Sequence, residues 1–331
     1  MAKNPADDLK SEFQPYVKKI ENVMSEIRKI VVGQEKPESI LLNALFSDGH
    51  VLIEGVPGVA KTLLMMAIAN VMGCQFKRIQ FTPDMLPSDI TGITTYTQEK
   101  GFSIVKGPIF TNFVLADEIN RAPSKVQSAM LEAMQEKRVT IGTQTFILTK
   151  PFMVLATQNI VESLGVYPLP AAQLDRFMFK LFMDLPSPKE EIDILDKNIT
   201  MFSLEDFGLK QILKPDDVLK LQELTKKVYV SKEVKEYIVR ITEATRNPAK
   251  YHIELGKYIE YGASPRGSIG MYIGSKANAL ISGSHFATPK HVKEIAPEIL
   301  SHRIVLNYEG QAEGIKPNDV IAEILKKVPV V

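Results

Sequence analysis

The sequence predicts an α/β fold in which a mostly parallel sheet lies between helices and is followed by a smaller domain made only of helices. Apolar runs of strand length at residues 50–54, 113–116 and 152–157 alternate with helix-forming stretches in the first part of the chain. Beyond residue 186 the pattern becomes helical. The chain has 331 residues, 45% of them hydrophobic, which suits one large or two medium domains with packed cores.

Two helices are predicted before the first strand. Residues 7–30 carry apolar side chains at helical spacing, so residues 1–30 are expected to form an N-terminal helical segment. This segment would pack on the predicted α/β domain or on a neighbouring subunit. A second helix is predicted over residues 36–46.

A glycine-containing turn, GVPGVAKT at residues 55–62, joins the first predicted strand to a helix predicted over 63–71. Such a unit binds phosphate because main-chain N–H groups and the positive end of the helix dipole face the anion. Lys61 would contact the β- and γ-phosphates of a nucleotide, and the Thr62 hydroxyl would bind Mg²⁺. Ala60 stands where the general pattern has glycine, so a negative φ is expected there. The expected nucleotide contacts in this segment are Gly55, Pro57, Gly58, Val59, Ala60, Lys61, Thr62 and Leu63.

Two carboxylates, Asp117 and Glu118, end the second apolar run. Ligands bind at the carboxyl ends of parallel strands, so both acids should lie beside the phosphate loop. Asp117 would hold Mg²⁺ opposite Thr62, and Glu118 would polarise the water that attacks the γ-phosphate. The third run leads to Asn159, which would contact the γ-phosphate or that water. The alternative for GVPGVAKT, a turn before an ordinary core helix, is disfavoured by this acidic pair downstream.

The order of these motifs resembles AAA+ ATPases and, among them, the MoxR family. The segments that carry the resemblance are GVPGVAKT, LADEINRAP, LATQN, LPAAQLDRF and SPRGS, and the similarity extends from about residue 31 to about residue 306. The resemblance implies an AAA+ P-loop core over residues 31–186 and a helical lid over residues 187–331. Alanine before the loop lysine is typical of this family.

Several site residues are implied by the resemblance. Val32 and Gly33 would lie against the adenine, and Asn159 would be the first sensor of the γ-phosphate. Arg176 resembles the arginine finger that enters the neighbouring subunit's site, a role that suits a planar, permanently charged guanidinium. Arg266 resembles the second sensor on the lid, and which subunit's nucleotide it contacts stays open. The alternatives are a surface ion pair for Arg176 and a helix-start role for Arg266.

Two hairpins are predicted inside the core. Short β-prone runs within residues 91–110 resemble the insertion in the second helix that marks this branch of AAA+ proteins and its magnesium-chelatase relatives. A second hairpin is predicted over residues 138–149. Both would project from one face of a ring and contact the substrate, or they would only decorate the sheet.

The segment LPSP at residues 185–188 is the predicted domain boundary, because its prolines end a strand and start a helix. Helical runs follow it to the end of the lid. They are predicted at residues 189–198, 216–228, 232–245, 267–282 and 289–301.

Composition limits the classes of function. The chain has 40 Lys and Arg against 39 Asp and Glu, and this balance argues against stable nucleic-acid binding. The single cysteine, Cys74, cannot form a disulfide within the chain and fits a reducing compartment. The polar start and the lack of an apolar run of about 20 residues predict no signal peptide and no membrane span. A cytoplasmic location is therefore expected.

Residues and resemblance together predict an ATPase that uses ATP and Mg²⁺ and works as a homo-oligomeric ring, expected to be a hexamer, to remodel a client protein. In MoxR-like systems the client often carries a von Willebrand factor A domain or is a metalloenzyme being matured. Three alternatives are a DNA-translocating motor, a magnesium-chelatase-like motor subunit and a nucleotide-gated scaffold. The balanced charge disfavours the first, and Glu118 disfavours the last because a scaffold needs no group to activate water.

Overall fold

The computed structural model describes residues 5–56, 58–99, 101–158, 166–197 and 207–330, with side chains from residue 12 onward. Among the helices in these ranges, none is long and apolar enough to cross a membrane. The helices are α1 (Pro5–Ile27), α2 (Glu35–Phe46), α3 (Lys61–Val71), α4 (Pro87–Thr91), α5 (Ser124–Glu136), α6 (Ala171–Leu174), α7 (Pro188–Lys197), α8 (Pro215–Lys227), α9 (Lys232–Arg246), α10 (Pro265–Ile281), α11 (Pro289–Leu300), α12 (Tyr308–Ala312) and α13 (Pro317–Lys327). The strands are β1 (Val51–Gly55), β2 (Phe76–Gln80), β3 (Gly92–Thr97), β4 (Gly101–Lys106), β5 (Phe113–Asp117), β6 (Arg138–Ile141), β7 (Gln144–Ile147), β8 (Met153–Gln158), β9 (Phe179–Met183), β10 (Tyr229–Val230), β11 (Ile259–Tyr261), β12 (Phe286–Ala287) and β13 (Val305–Leu306).

Five strands form one parallel sheet in the order β2-β5-β8-β1-β9. Successive side chains of a strand point to opposite faces, so each central strand contributes to two cores. Val51 and Ile53 of β1 pack with α2, α3 and the C-terminal helices, whereas Leu52 packs with α5 on the other face. The predicted α/β fold is confirmed, and burial on both faces explains why these strands read as continuous apolar runs.

The carboxyl ends of the strands meet at one edge of the sheet. Gly55, Gln80, Asp117 and Gln158 are the last residues of β1, β2, β5 and β8. Because these strands are parallel and adjacent, side chains at or just after their ends converge on one region. This edge is where the candidate site lies.

The region after β9 is mainly helical and packs directly on the core of the sheet. Its buried apolar side chains belong to the same cluster as those of α2 and α3. The sequence predicts helices only, and this is wrong in one respect, because β10 pairs with β12 and β11 pairs with β13. Each of these strands has two or three residues, which is too short for a periodic signal in the sequence.

Helix α10 is seated closely between the sheet and α11. A Cβ added to Gly274 would lie 2.8 Å from Ile295 of α11 and 3.2 Å from Phe179 of β9. A larger residue would push α10 away from both neighbours. The middle of α10 therefore packs directly against β9 and α11.

Helix α1 packs on its own chain, which is one of the two predicted arrangements. Its Ile20 and Val23 are buried in the main core, and it contacts α3, α8 and α10. Lys19 pairs with Asp217 of α8 at 2.9 Å. The helix therefore contacts both the sheet domain, through α3, and the C-terminal helices α8 and α10.

Residues 92–106 and 138–147 form two antiparallel hairpins, β3–β4 and β6–β7. The β3–β4 hairpin exposes two aromatic side chains, Tyr96 at 65% and Phe102 at 80%, whose ring centroids lie 5.1 Å apart. The hairpins contact each other through β3 and β6. The two hairpins therefore lie side by side.

His50 is a fully buried histidine at the amino end of β1. Its Nδ1 accepts a hydrogen bond from the Val154 N–H at 3.0 Å, and its Nε2 lies 3.0 Å from the Met134 carbonyl oxygen. These partners fit a neutral ring with the proton on Nε2. Burial lowers the pKa of His50 from 6.5 to about 4.

We expect acid to destabilise the protein through His50. Between pH 6.5 and about 4 the unfolded chain binds a proton that the native ring does not, so stability falls as the pH is lowered through this window. The expected contribution is a loss of about 3 kcal/mol. Urea unfolding of wild type and His50→Gln from pH 7 to pH 4 isolates the contribution of His50 to the free energy of unfolding. The glutamine side chain retains a hydrogen-bond donor and an acceptor but does not titrate. Identical pH dependence in the two proteins would contradict this assignment.

Candidate functional site

The loop from β1 to α3 contains two glycines that the local geometry requires. A Cβ on Gly55 would lie 2.4 Å from the main-chain oxygen of Met183, so only glycine fits beside β9 at this point. Gly58 has a φ of 84°, in the left-handed region. Pro57 lies outside the described residues.

Ala60 corrects one expectation. The sequence predicts a negative φ, but φ is 59° and the residue is left-handed. Ala60 is the N-cap of α3, and the chain turns here so that the first helical N–H groups can face the loop. A residue with a Cβ is strained in this conformation by roughly 1–2 kcal/mol, a kind of strain found where backbone is shaped for a ligand.

A cavity of about 440 Å³ opens where the loop meets the strand ends. This volume lies within the usual range for small-molecule sites. It brings together most of the predicted phosphate and metal residues, together with side chains of β2 and β8. The lining residues are Gly58, Val59, Ala60, Lys61, Thr62, Leu63, Arg78, Asp117, Glu118, Thr157 and Gln158.

Lys61 lies at the start of α3 with its ammonium group inside this cavity. Its Nζ donates to the Gly55 carbonyl oxygen at 2.9 Å. Burial lowers the pKa of Lys61, and the nearby Asp117 and Glu118 carboxylates oppose that shift by attraction. The amine and both carboxylates therefore line the same small cavity.

Asp117 ends β5 and is held from two sides. Its Oδ1 accepts a hydrogen bond from the Thr157 hydroxyl at 2.6 Å, and its Oδ2 accepts one from Arg78 Nε at 3.0 Å. The Thr157 oxygen also accepts the Glu118 main-chain N–H at 2.9 Å. Thr157 of β8 thus fixes both acids relative to each other.

Glu118 follows in a left-handed conformation, with a φ of 57°. This turn directs the chain out of β5 and into a short 3₁₀ turn, Ile119–Arg121. Its Oε2 accepts hydrogen bonds from Gln80 Nε2 at 2.7 Å and from Arg121 Nη1 at 3.0 Å. The carboxylate is therefore oriented at the cavity by neighbouring side chains.

Thr62 and Asp117 can supply oxygen ligands to a Mg²⁺ ion, because both line the same cavity. Magnesium prefers one or two carboxylates, keeps several waters and binds substrate phosphates, so two protein oxygens suffice. Throughout the described parts of the chain, no group of three or more His, Cys, Asp or Glu side chains could hold a metal ion. The donor set fits Mg²⁺ bound together with a nucleotide better than a dedicated protein metal cage.

Three of the cavity's polar partners, Arg78, Gln80 and Thr157, were not predicted. Arg78 and Gln80 lie on β2, an edge strand whose side chains are mostly exposed and which has no apolar run to mark it. The one indication in the sequence was their spacing of two residues, which places both side chains on the same face of a strand. Thr157 was visible in the sequence as the end of an apolar run, but its contact with Asp117 depends on strand pairing.

The segment expected to contact adenine lies apart from the cavity lining. A Cβ on Gly33 would lie 2.5 Å from the Glu190 carboxyl carbon of α7, so α7 covers this glycine. Val32 beside it is half-buried. Asn159 lies outside the described residues, although Gln158 before it lines the cavity.

Arg176 and Arg266 lie at the opposite edge of the sheet. Arg176 is two residues before Met178, whose N–H donates to the His50 carbonyl oxygen at the amino end of β1. Within the part of the chain that the structure describes, no hydrogen bond or ion pair involves the Arg176 guanidinium. Arg266 Nη1 lies 3.5 Å from Asp175 Oδ2, directly beside Arg176. The structure therefore places both arginines together and away from their own chain's cavity.

Comparison with known proteins gives matches along most of the chain. The family model described as "ATPase family associated with various cellular activities (AAA)" matches residues 50–179, and the AAA lid domain model matches residues 255–324. Chaperone MoxR1 of Mycobacterium tuberculosis is 45% identical over 93% of this chain and 81% of that protein. Protein MoxR of Methylorubrum extorquens is 28% identical over 98% of each chain.

Solved structures agree with the sequence comparison. The crystal structure of a protein from Cytophaga hutchinsonii, assigned as an ATPase, superposes with a TM-score of 0.92. The two chains are 44% identical, and the match covers 98% of this chain and 99% of the other. At this identity and coverage, the two chains share both the fold and much of their sequence.

Proposed function

This chain belongs to the MoxR family of AAA+ ATPases, and from that premise we propose that it works as a homo-oligomeric ring that remodels a client protein. ATP bound by one subunit would be hydrolysed with an arginine from the next subunit. A hexamer is the ring size that we propose from the family resemblance. The resulting cycle of nucleotide states would drive movement of the lid against the core.

The position of Arg176 carries this proposal. Strand β1 has five residues and separates the His50 end of the sheet from the phosphate loop by roughly 17 Å. An arginine side chain extends roughly 7 Å from its Cα, as its bond lengths dictate. Arg176 is therefore too far from its own chain's cavity to act there, which supports a role at a neighbour's nucleotide.

Arg266 is held beside Arg176 through Asp175. The same distance argument applies to it, so we assign both arginines to the nucleotide of the adjacent subunit. A lid arginine and a core arginine would then approach one triphosphate together. Two guanidinium groups would neutralise more of the negative charge that develops on the phosphates than a single guanidinium group would.

We propose a role in ATP binding or hydrolysis for each of the following residues at the cavity. Lys61 and the main-chain N–H groups of the loop would bind the β- and γ-phosphates. Thr62 and Asp117 would hold Mg²⁺, which supplies positive charge to the phosphates when it is bound. Glu118 would orient a water and accept its proton. Asn159 follows a residue that lines the cavity, and we propose it as the sensor of the γ-phosphate.

The adenine would lie between the core and the lid. We propose that Val32 and Gly33 contact it. The closeness of Gly33 to Glu190 supports this position, because α7 begins the lid region and could cover the base. Opening and closing of α7 over Gly33 would then follow nucleotide exchange.

A protein client is supported by the exposed aromatic pair of the β3–β4 hairpin. Tyr96 and Phe102 present apolar rings to solvent, a feature typical of surfaces that bind proteins. One relative is named as a chaperone, which points to the same class of substrate. We propose a client with a von Willebrand factor A domain on the strength of the family resemblance.

Lys61→Ala tests nucleotide binding at the loop. ATP at about 100 times its Kd should stabilise the wild type by about 2.7 kcal/mol, and this gain should disappear in the variant because the phosphates lose their cation. Thermal unfolding with and without ATP and Mg²⁺ measures it. Lys276→Ala is a matched control, since Lys276 also donates to a main-chain carbonyl but lies in α10. An unchanged ATP effect in Lys61→Ala would remove Lys61 from the site.

A further inference from the structure

Asp175 joins the core segment that carries Arg176 to three residues of the lid. Its Oδ1 accepts a hydrogen bond from Arg303 Nε at 2.8 Å, and its Oδ2 accepts one from the Ser264 hydroxyl at 2.9 Å. Arg266 Nη1 lies 3.5 Å from the same Oδ2. One carboxylate thus contacts lid residues 89 to 128 positions away along the chain.

Arg303 is the permanent partner of Asp175. Its side chain is only 3% exposed, and its guanidinium also donates to the carbonyl oxygens of Phe177 at 2.7 Å and Met178 at 3.2 Å. The neighbouring His302 Nε2 lies 3.0 Å from the same Phe177 oxygen. Arg303 also donates to the Asp175 carbonyl oxygen at 3.3 Å, so the main chain on both sides of Arg176 is hydrogen-bonded to the turn that follows α11.

Arg266 is the exchangeable partner. Its side chain is 47% exposed, and an exposed ion pair at 3.5 Å contributes little. Ser264 is the N-cap of α10, and its oxygen accepts the Arg266 N–H at 3.1 Å while its hydroxyl donates to Asp175. Asp175 therefore fixes the start of α10 but holds the Arg266 guanidinium loosely enough to release it to a phosphate.

We propose that Asp175 is a positioning residue that presents Arg176 and Arg266 together to the nucleotide of the neighbouring subunit. This inference rests on the proposed catalysis between subunits. The carboxylate attracts Arg266 towards the edge where Arg176 lies, while Arg303 keeps that edge fixed to the lid. Movement of the lid would then move both arginines as one unit.

Asp175→Asn removes the negative charge of the Asp175 side chain while keeping its size and shape, and so tests whether that charge positions the arginines. The amide oxygen can still accept from Arg303 and the amide nitrogen can donate to Ser264, but the attraction for Arg266 is lost. We expect ATP turnover to fall about 10- to 100-fold, as for a misplacement of catalytic groups by about 1 Å. ATP binding should change by less than about twofold, because the variant's own cavity is intact.

Mixed rings distinguish positioning from a general defect. Glu118→Gln subunits lack water activation but keep their arginines, so mixing them with Asp175→Asn subunits should restore active interfaces. Mixing Asp175→Asn with Arg176→Ala should restore none, because both supply defective arginines. Recovery with Arg176→Ala, or no recovery with Glu118→Gln, would overturn the inference. So would unreduced turnover of Asp175→Asn alone.

One further mixture and two further variants complete the design. If Glu118→Gln with Arg176→Ala gives no recovery, catalysis between subunits fails and the proposed function is refuted independently of Asp175. If Asp175→Asn shows no thermal stabilisation by ATP, Ser264→Ala replaces it in the mixtures. Ser264→Ala should then regain activity with Glu118→Gln and not with Arg176→Ala, and the opposite result in either mixture would overturn the inference. Asp217→Asn, which breaks a comparable ion pair with Lys19 at 2.9 Å, should leave turnover unchanged. A loss in Asp217→Asn equal to that in Asp175→Asn would also overturn the inference.

Discussion

Glu118→Gln should bind ATP as the wild type does and hydrolyse it about 10²- to 10⁴-fold more slowly. The amide has the size of the carboxylate, and its oxygen can still accept hydrogen bonds from Gln80 and Arg121. It cannot accept a proton from water, and general-base catalysis typically contributes a factor of this size. Phosphate release under saturating ATP measures turnover, and ATP-dependent thermal stabilisation measures binding.

The matched control for this change is Glu54→Gln. Glu54 lies on β1 and pairs with Lys180 at 2.8 Å, but it does not line the cavity. Its variant should hydrolyse ATP at the wild-type rate. Turnover of Glu118→Gln within a factor of two of wild type would show that another group activates the water.

Arg176→Ala should lower ATP turnover by about 10³- to 10⁵-fold while ATP binding persists. An arginine supplied by a neighbouring subunit stabilises charge on the transferred phosphoryl group, and factors of this size are known for such arginines in GTPases. The variant's own Lys61 and Thr62 are untouched, so its affinity for ATP should stay close to that of wild type.

Arg176→Lys separates charge from geometry at this position. Lysine retains the positive charge but lacks the planar fork that binds two phosphate oxygens at once. We expect intermediate turnover, above Arg176→Ala and below wild type. Equal turnover of wild type, Arg176→Lys and Arg176→Ala would exclude a catalytic role for this residue.

Much of the cavity was predictable because its strands are buried. β5 and β8 are apolar on both faces and end at polar residues, so their residue patterns indicate both the strand and its functional end. Parallel pairing of β1 with β8 then brings Lys61 and Glu118 to one edge. The motif of the phosphate loop fixes the start of α3 in the same way.

Edge strands and backbone strain were harder to predict. β2 exposes most of its side chains, so Arg78 and Gln80 gave no apolar signal although they contact Asp117 and Glu118. Ala60 was expected at negative φ because most residues with a Cβ avoid the left-handed region. The packed loop overrides that local preference.

The contacts of Asp175 could not be predicted from the sequence at all. Ser264 and Arg303 are 89 and 128 residues away along the chain, and their meeting depends on how α10 and α11 pack on β9. Local propensity carries no information about such distant pairs. The tertiary structure alone connects the lid with the segment that carries Arg176.

The most direct test of catalysis between subunits is ATP turnover in mixtures of Glu118→Gln and Arg176→Ala subunits. Each variant alone should be nearly inactive, since the first lacks the water-activating carboxylate and the second lacks the arginine. Mixed rings should regain activity, with a maximum at intermediate ratios. Where the two variants are neighbours, the Arg176→Ala subunit supplies an intact cavity with Glu118, and the Glu118→Gln subunit supplies Arg176, so that interface is complete. Activity that stays at the level of the separate variants at every ratio would contradict hydrolysis at a shared interface.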